Sequence, residues 1–443
     1  MRSPGVPDTV FAPASGFGRA AIAVIRISGP ASAALLTALA GALPPPRRLS
    51  LRTLRDPETG DVLDRAVTVW MPGPSTFTGE DMAELHLHGG LAVRSAVLRA
   101  LVGIPGCRPA EPGEFTRRAF LAGRIDLTEA EAAADLIEAE TEAQRRQALR
   151  QLDGALGRQV AAWREHAIDL LARTEAALDF SDEGDVDDAA LDVRLAGDAA
   201  SLRDAIRATL ADGRRGERLR EGFCVVLAGP PNAGKSTLLN ALAGRDAAIV
   251  SEIPGTTRDA IEVRCDLGGL PVLLVDTAGL RETADPVEAE GVARTRSRIG
   301  QADLVLLLTP AGSSAIWEDD AGDHPPTLHV TTKTDLSGTA ASVGELGISA
   351  LTGAGLDALL AAIQGVAESA LGGGEALVTR ERHREALTRA VDHLDRVATL
   401  TGLPPELVAE DLRLAVRALG AIGGHVGIEE MLDRLFAGFC IGK

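Results

Sequence analysis

Gly229-Pro230-Pro231-Asn232-Ala233-Gly234-Lys235-Ser236-Thr237 decides the fold of the chain's middle third. The stretch has the form G-x-x-x-x-G-K-[ST]. It follows the apolar run 223–228 and precedes a helical pattern over 238–243, the strand–loop–helix context that a phosphate-binding loop requires. Its glycines let backbone N–H groups curl around phosphates, and the helix N-terminus adds positive potential. In this reading Lys235 reaches the terminal phosphates and the Ser236 hydroxyl ligates Mg²⁺.

Moving outward, the short apolar runs 272–275, 304–308 and 328–330 alternate with helical segments, the pattern of strands buried in a parallel sheet. Asp276-Thr277-Ala278-Gly279 ends the first of these runs. An aspartate there supports Mg²⁺ and the glycine bonds the terminal phosphate. Thr332-Lys333-Thr334-Asp335 follows the last. The Asp335 carboxylate can accept from guanine N1–H and from its amino group, which adenine cannot offer, while the Lys333 stem packs over the base. Ser349-Ala350-Leu351 comes next, where a base-contacting loop belongs. The order of these pieces predicts GTP rather than ATP. Gly255-Thr256-Thr257-Arg258-Asp259 fills the interval where a switch loop presents a threonine to Mg²⁺. Leu280 stands where many small GTPases place a glutamine that orients water, so catalytic help comes from elsewhere. Arg258 and Arg281 are candidates, with solvent-exposed switch residues as the alternative.

Lysine usage marks the same places. Of 45 basic residues only Lys235, Lys333 and Lys443 are lysine. In a chain otherwise given to arginine, lysine persists where a compact ammonium is needed.

The 443 residues predict about three domains. Strands are expected at 9–12, 21–27 and 66–70, and helices at 31–40 and 91–101, an α+β pattern over residues 1–118. Residues 119–219 read as helical, broken by an acidic stretch at 179–188 that lacks EF-hand spacing and reads as a solvated loop. Gly372-Gly373-Gly374 is a linker signal, and the remainder is helical again, interrupted at Gly402-Leu403-Pro404-Pro405. The predicted fold class is therefore multidomain: α+β (1–118), helical (119–219 and 373–443), and a parallel-sheet α/β domain inserted at 220–372.

A net charge of −18 argues against a broad nucleic-acid face working unaided. No apolar run reaches the ~18 residues that span a bilayer, so no membrane contact is expected. The N-terminus carries no charged-then-apolar signal pattern. Cys107, Cys224, Cys265 and Cys440 lie far apart with no CxxC pair, which fits a reducing cytoplasm. His86 and His88 alternate on one strand face, but packing or turn roles are expected because no third ligand lies near.

The arrangement resembles the MnmE (TrmE) family of tRNA modification GTPases over essentially the whole chain. The residues carrying the resemblance are Arg26-Ile27-Ser28-Gly29, Phe77-Thr78-Gly79-Glu80-Asp81, His88-Gly89-Gly90, Pro112-Gly113-Glu114-Phe115, the phosphate loop, Gly255–Asp259, Asp276-Thr277-Ala278-Gly279-Leu280-Arg281-Glu282 and Phe439-Cys440-Ile441-Gly442-Lys443. The resemblance implies a folate-binding N-terminal domain that drives homodimerisation, a helical domain and an inserted P-loop GTPase domain. It implies potassium-dependent hydrolysis and an FAD-dependent partner subunit, joined in a heterotetramer or larger complex. Together they place an aminomethyl-type group, such as carboxymethylaminomethyl, at C5 of the wobble uridine of certain tRNAs, using 5-formyl- or methylene-tetrahydrofolate.

Carried over by position, the resemblance places GTP against Asn232, Ala233, Gly234, Lys235, Ser236, Thr237, Ser251, Glu252, Ile253, Pro254, Gly255, Thr256, Thr257, Asp276, Thr277, Ala278, Gly279, Thr332, Lys333, Asp335, Ser349 and Ala350. Asn232, Ser251, Ile253 and Thr256 would hold potassium, and Ser236 with Thr257 would hold Mg²⁺. Glu288 would position the attacking water, with Lys235 and Thr257 completing the catalytic set. Arg26, Glu80, Arg124 and Lys443 match folate contacts. Cys440 reads equally as a nucleophile and as a structural thiol. Two departures stand out: Thr332 replaces the usual asparagine, which weakens a bond between the base loop and the phosphate loop, and Arg124 replaces a common lysine. A regulatory RNA-binding GTPase of the ribosome-assembly type would need a basic domain. A folate-dependent aminomethyltransferase scaffold with structural GTP would show no turnover.

Overall fold

The computed structural model describes residues 8–16, 18–179, 188–212, 214–245, 247–249, 262–276, 300, 302–313, 325–337, 346–372, 376–399, 404–425, 432, 435–439 and 442. The chain divides into two compact units, Met1–Ala134 with Gly420–Lys443, and Asp135–Leu419.

The first unit is built on β1 (Thr9–Pro13), β2 (Ala20–Ser28), α1 (Ser32–Ala40), β3 (Ser50–Arg55), β4 (Val62–Met71), β5 (Met82–Gly89), α2 (Leu91–Gly103), β6 (Cys107–Pro109), α3 (Glu114–Leu121) and the start of α4 (Leu127–Glu138). Its sheet runs β3-β4-β5-β2-β1-β6. The strand period of two assigns its faces. Ala23, Ile25 and Ile27 of β2 and Leu85 and Leu87 of β5 point to one side. There, with Phe11, they meet Leu35, Leu36 and Leu39 of α1 and Val97 and Leu101 of α2. Val10 and Ala12 point the other way and pack against Phe115 of α3. Arg26 and Ser28 share that second face, because they pair with Ala12 and Val10.

The chain's end belongs to this unit. Phe436 and Phe439 are buried with Leu127 and Ala130, their rings 5.3 Å apart at 55°. Gly442 has φ 101°, and a Cβ built on it would lie 1.9 Å from the Pro13 carbonyl oxygen. Only glycine fits at that approach.

The second unit contains α5 (Glu142–Leu152), α6 (Ala155–Asp179), α7 (Asp188–Leu210), α8 (Arg215–Glu221), β7 (Phe223–Ala228), α9 (Lys235–Ala243), β8 (Ala248–Ile249), β9 (Glu262–Leu267), β10 (Leu270–Asp276), β11 (Leu304–Pro310), β12 (Thr327–Thr332), α10 (Thr334–Ser337), β13 (Leu346–Gly347), α11 (Leu356–Leu371), α12 (Glu381–Thr399) and α13 (Pro405–Gly423). Its sheet order is β13-β12-β11-β7-β10-β9-β8, parallel from β13 to β10 and antiparallel beyond. The expected apolar runs are the parallel strands. The β8–β9 edge offers no such run, since Glu262, Arg264 and Asp266 interrupt its apolar residues.

On the helical side, Ala386, Leu387, Ala390, Val391, Leu394 and Val397 form a buried stripe of helical period on α12. Arg203 of α7 pairs with Asp395 at 2.8 Å. Helix α13 opens at Pro405, where a missing N–H costs nothing. Side-chain amides of α5 satisfy backbone carbonyls on both sides of the α/β segment. Gln144 donates to Arg220 O at 3.0 Å, Gln147 to Gly216 O at 3.2 Å and Gln151 to Leu377 O at 2.8 Å.

The Gly442 contact yields a prediction. Gly442→Ala is expected to lift the chain's end off Pro13, seen as faster hydrogen exchange over residues 435–442. Unchanged protection would show that the tail is not held by this approach.

Candidate functional site

The carboxyl ends of β7, β10 and β12 converge, which is where open α/β sheets hold ligands. Asp276 ends β10 opposite Leu227 of β7 and is fully buried. The loop after β7 starts at Gly229, with φ 143°, where a Cβ would lie 2.4 Å from Leu308 O. Asn232 adopts φ 63° and is exposed. Gly234, at φ 95°, caps α9, so the first amides of that helix open onto the loop.

Within this cradle Lys235 is 9% exposed, its ammonium donating to Gly229 O at 2.9 Å and Pro230 O at 3.1 Å. The Ser236 hydroxyl donates to Asp276 Oδ2 at 2.7 Å. A hydroxyl and a buried carboxylate joined beside a helix N-terminus and an ammonium form a donor set that fits Mg²⁺ with a polyphosphate. The buried Thr332 hydroxyl donates to Ala233 O at 2.7 Å, which ties the end of β12 to the loop after β7. Lys333 follows at φ 58°, and Asp335 on α10 is exposed. Thr334 N donates to Ile348 O at 3.2 Å, bringing the segment with Ser349 and Ala350 beside Asp335. The expected Ser251, Glu252, Ile253, Pro254, Gly255, Thr256, Thr257, Thr277, Ala278, Gly279 and Glu288 lie outside the described residues, as do Arg258, Leu280 and Arg281.

The expected folate residues fall in the first unit. Arg26 donates from Nε to Glu84 at 3.1 Å, with its guanidinium 5.9 Å from the rings of both Phe77 and Phe115. Glu80 accepts from Ser28 Oγ at 2.7 Å and from Arg118 Nη1 at 2.9 Å. Arg124 is exposed, its stem 3.7 Å from where a Cβ on Gly79 would sit. Lys443 and Cys440 lie outside the described residues, and Gly442 stands against Pro13. Arg26, Glu80 and Arg124 thus gather about the 77–80 loop. Sequence reading missed Arg118, Arg108 and Ser28 as their supports. The signal was present in Glu114, four residues before Arg118 on one helix face. Burial pushes the Glu114 carboxyl up, but hydrogen bonds from Arg108, the Glu111 amide and Arg118 outweigh it and hold the group at about 2.

His88 Nδ1 lies 2.7 Å from Asp64 and His86 lies 3.4 Å from Glu84. Among the described residues no three His, Cys, Asp or Glu side chains form a metal-holding group. Burial lifts the Cys265 thiol to about 11, far from a reactive thiolate.

This geometry can be tested at two residues. Thr332→Val leaves the buried Ala233 carbonyl without its donor, and a fluorescent GTP analogue is expected to bind about tenfold more weakly. Wild-type affinity would remove the Thr332 link from the site. Glu114 has a depressed pKa, so its stabilisation is complete above its unfolded value near 4.5 and is lost as pH falls through about 2. Glu114→Gln is expected to cost about 2 kcal/mol at pH 7, with the gap to wild type closing below pH ~4.5. Thermal melts across pH check this, and a gap independent of pH would exclude the charge as its source.

Comparison with known proteins places this geometry in a family. A family model described as MnmE helical domain matches residues 127–440, and one described as GTP-binding protein TrmE N-terminus matches residues 9–124. The tRNA modification GTPase MnmE of Methylorubrum populi is 77% identical over 437 residues, covering 98% of each chain. The protein of the same name from Methylobacterium radiotolerans is 68% identical over 439 residues, covering 98% of this chain and 99% of the relative. That of Rhodospirillum rubrum is 52% identical over 456 residues, with the same coverage. With both family models matched and such identity along nearly its whole length, the chain belongs to the MnmE (TrmE) family.

Proposed function

We propose that this chain is a potassium-dependent GTPase acting in tRNA modification. The observation that carries the reading is the joined set Lys235, Ser236–Asp276 and Thr332–Ala233 at the carboxyl ends of one parallel sheet. It occurs in a chain whose near-full-length relatives are named tRNA modification GTPases.

In this reading Lys235 exchanges the Gly229 and Pro230 carbonyls for the β- and γ-phosphate oxygens, while the α9 amides hold the phosphates from the other side. Mg²⁺, when bound, offsets the charge on those oxygens; Ser236 and Thr257 would hold it, with Asp276 keeping the Ser236 hydroxyl in place. Asp335, Lys333, Ser349 and Ala350 select guanine. Asn232, Ser251, Ile253 and Thr256 would hold potassium, which would supply the positive charge that an arginine finger supplies elsewhere. Glu288 polarises the attacking water, the task that Leu280 cannot perform.

The same reading assigns a tetrahydrofolate derivative to Arg26, Glu80, Arg124 and Lys443. Glu80 offers a carboxylate to the pterin donor edge, and the tail that Gly442 seats against Pro13 lies in the same unit. The domains are read as 1–118 for folate and dimerisation, 119–219 with 373–443 as the helical domain, and 220–372 as the GTPase. The chain works as a homodimer with an FAD-dependent partner on the tRNA wobble uridine, in the cytoplasm. A partner that brings cations to the tRNA answers the net charge of −18. Among the described residues no helix is long and apolar enough to cross a membrane.

The test is phosphate release in potassium and in sodium at equal ionic strength, beside wobble-uridine analysis of tRNA from cells lacking the gene and complemented with it. Hydrolysis is expected to be about a hundredfold faster in potassium, the scale of one preorganised electrostatic contact. Equal rates in the two salts would sink the potassium reading, and unmodified tRNA after complementation would sink the tRNA reading.

A further inference from the structure

We propose that Arg118 is the positioning residue of the pterin-binding carboxylate: it fixes Glu80 so that one oxygen faces the ligand's exocyclic amino donor. The proposal rests on the reading of Glu80 given above.

Arg118 lies on α3 one turn after Glu114, and its guanidinium bridges two carboxylates. Nη1 donates to Glu80 Oε2 at 2.9 Å and Oε1 at 3.2 Å. Nη2 and Nε donate to Glu114 Oε1 at 2.9 and 3.3 Å. The Arg118 side chain is 14% exposed and that of Glu114 11%, so water competes little for these bonds. Glu114 is itself fixed: Arg108 grips it through Nη1 at 2.8 Å and Nη2 at 2.7 Å, and the Glu111 amide donates at 2.9 Å. Charges alternate along Arg108, Glu114, Arg118 and Glu80, and the anchored end holds the free end in place.

The hydroxyls set the direction at Glu80. Ser28 Oγ donates to Glu80 Oε2 at 2.7 Å, which uses its only proton. The 2.7 Å contact between Ser28 and Thr78 must then be donated by Thr78. Oε2 therefore takes two strong bonds, whereas Oε1, among the described residues, takes the longer one from Arg118. Oε1 keeps acceptor capacity, and the carboxylate plane is fixed by Ser28 on one side and Arg118 on the other. A pterin presents an exocyclic amino group at its donor edge, and the one acceptor site left on Oε1 matches a single N–H of that group. Lysine could not replace Arg118, since one ammonium does not present a planar fork to two carboxylates.

The experiment is calorimetric titration of the full chain with 5-formyltetrahydrofolate. Arg118→Lys and Arg118→Gln are expected to bind about tenfold more weakly, the scale of one charge-assisted hydrogen bond. In a Glu80→Ala background the same changes should cause no further loss. A 2-desamino-2-methyl analogue, lacking the amino donor, should bind wild type and Arg118→Lys alike. Wild-type affinity in Arg118→Lys, or an equal loss with Glu80 present and absent, overturns the positioning role. Should Arg118→Gln fail to fold by circular dichroism, Arg118→Lys, which keeps the charge, decides the matter. A wild-type chain that binds no 5-formyltetrahydrofolate overturns the ligand reading and the proposal with it, a result distinct from tight binding that ignores Arg118.

Discussion

The parallel ladder between β7 and β10 sets the nucleotide site. Its register places Asp276 opposite Leu227, two residues before Gly229. From there the Asp276 carboxylate meets the Ser236 hydroxyl on the first turn of α9. A slip of one residue along that ladder would turn Asp276 to the other face of the sheet and leave a buried carboxylate without its partner. The apolar strands are what prevent the slip, because Val225, Leu227, Leu274 and Leu306 fill one face and are buried. Core packing and site chemistry are thus one constraint.

Thr332 shows how that constraint reaches the end of β12. Strand β12 ends beside the phosphate loop, and a single hydroxyl bridges to Ala233 O. The Thr332 hydroxyl has one proton to give, and at this buried position it gives it to that carbonyl. The first unit solves a similar problem with charge. Glu80 sits in a loop, where backbone alone would leave it loosely placed, and Arg118 on a packed helix supplies the rigidity.

Much of this was legible in the sequence. The phosphate loop carries its own conformational demands, so Gly229, Gly234, Lys235 and Ser236 declare the strand, the turn and the helix around them. The parallel strands announced themselves as continuous apolar runs because both their faces are buried. Strand β9 did not, since it lies near the sheet's edge and tolerates charges on alternate residues.

A phosphate-binding loop and three structural classes could be read from residue order, because each depends on residues close together in the chain. Which charged residues meet could not be read that way. Arg118 and Glu80 lie 38 positions apart, and Thr332 and Ala233 lie 99 apart. Where all but three of 45 basic residues are arginine, nothing local distinguishes the one that steadies Glu80. Partner choice over such separations is fixed by sheet order and helix packing, which place some side chains within hydrogen-bond reach and keep the rest apart.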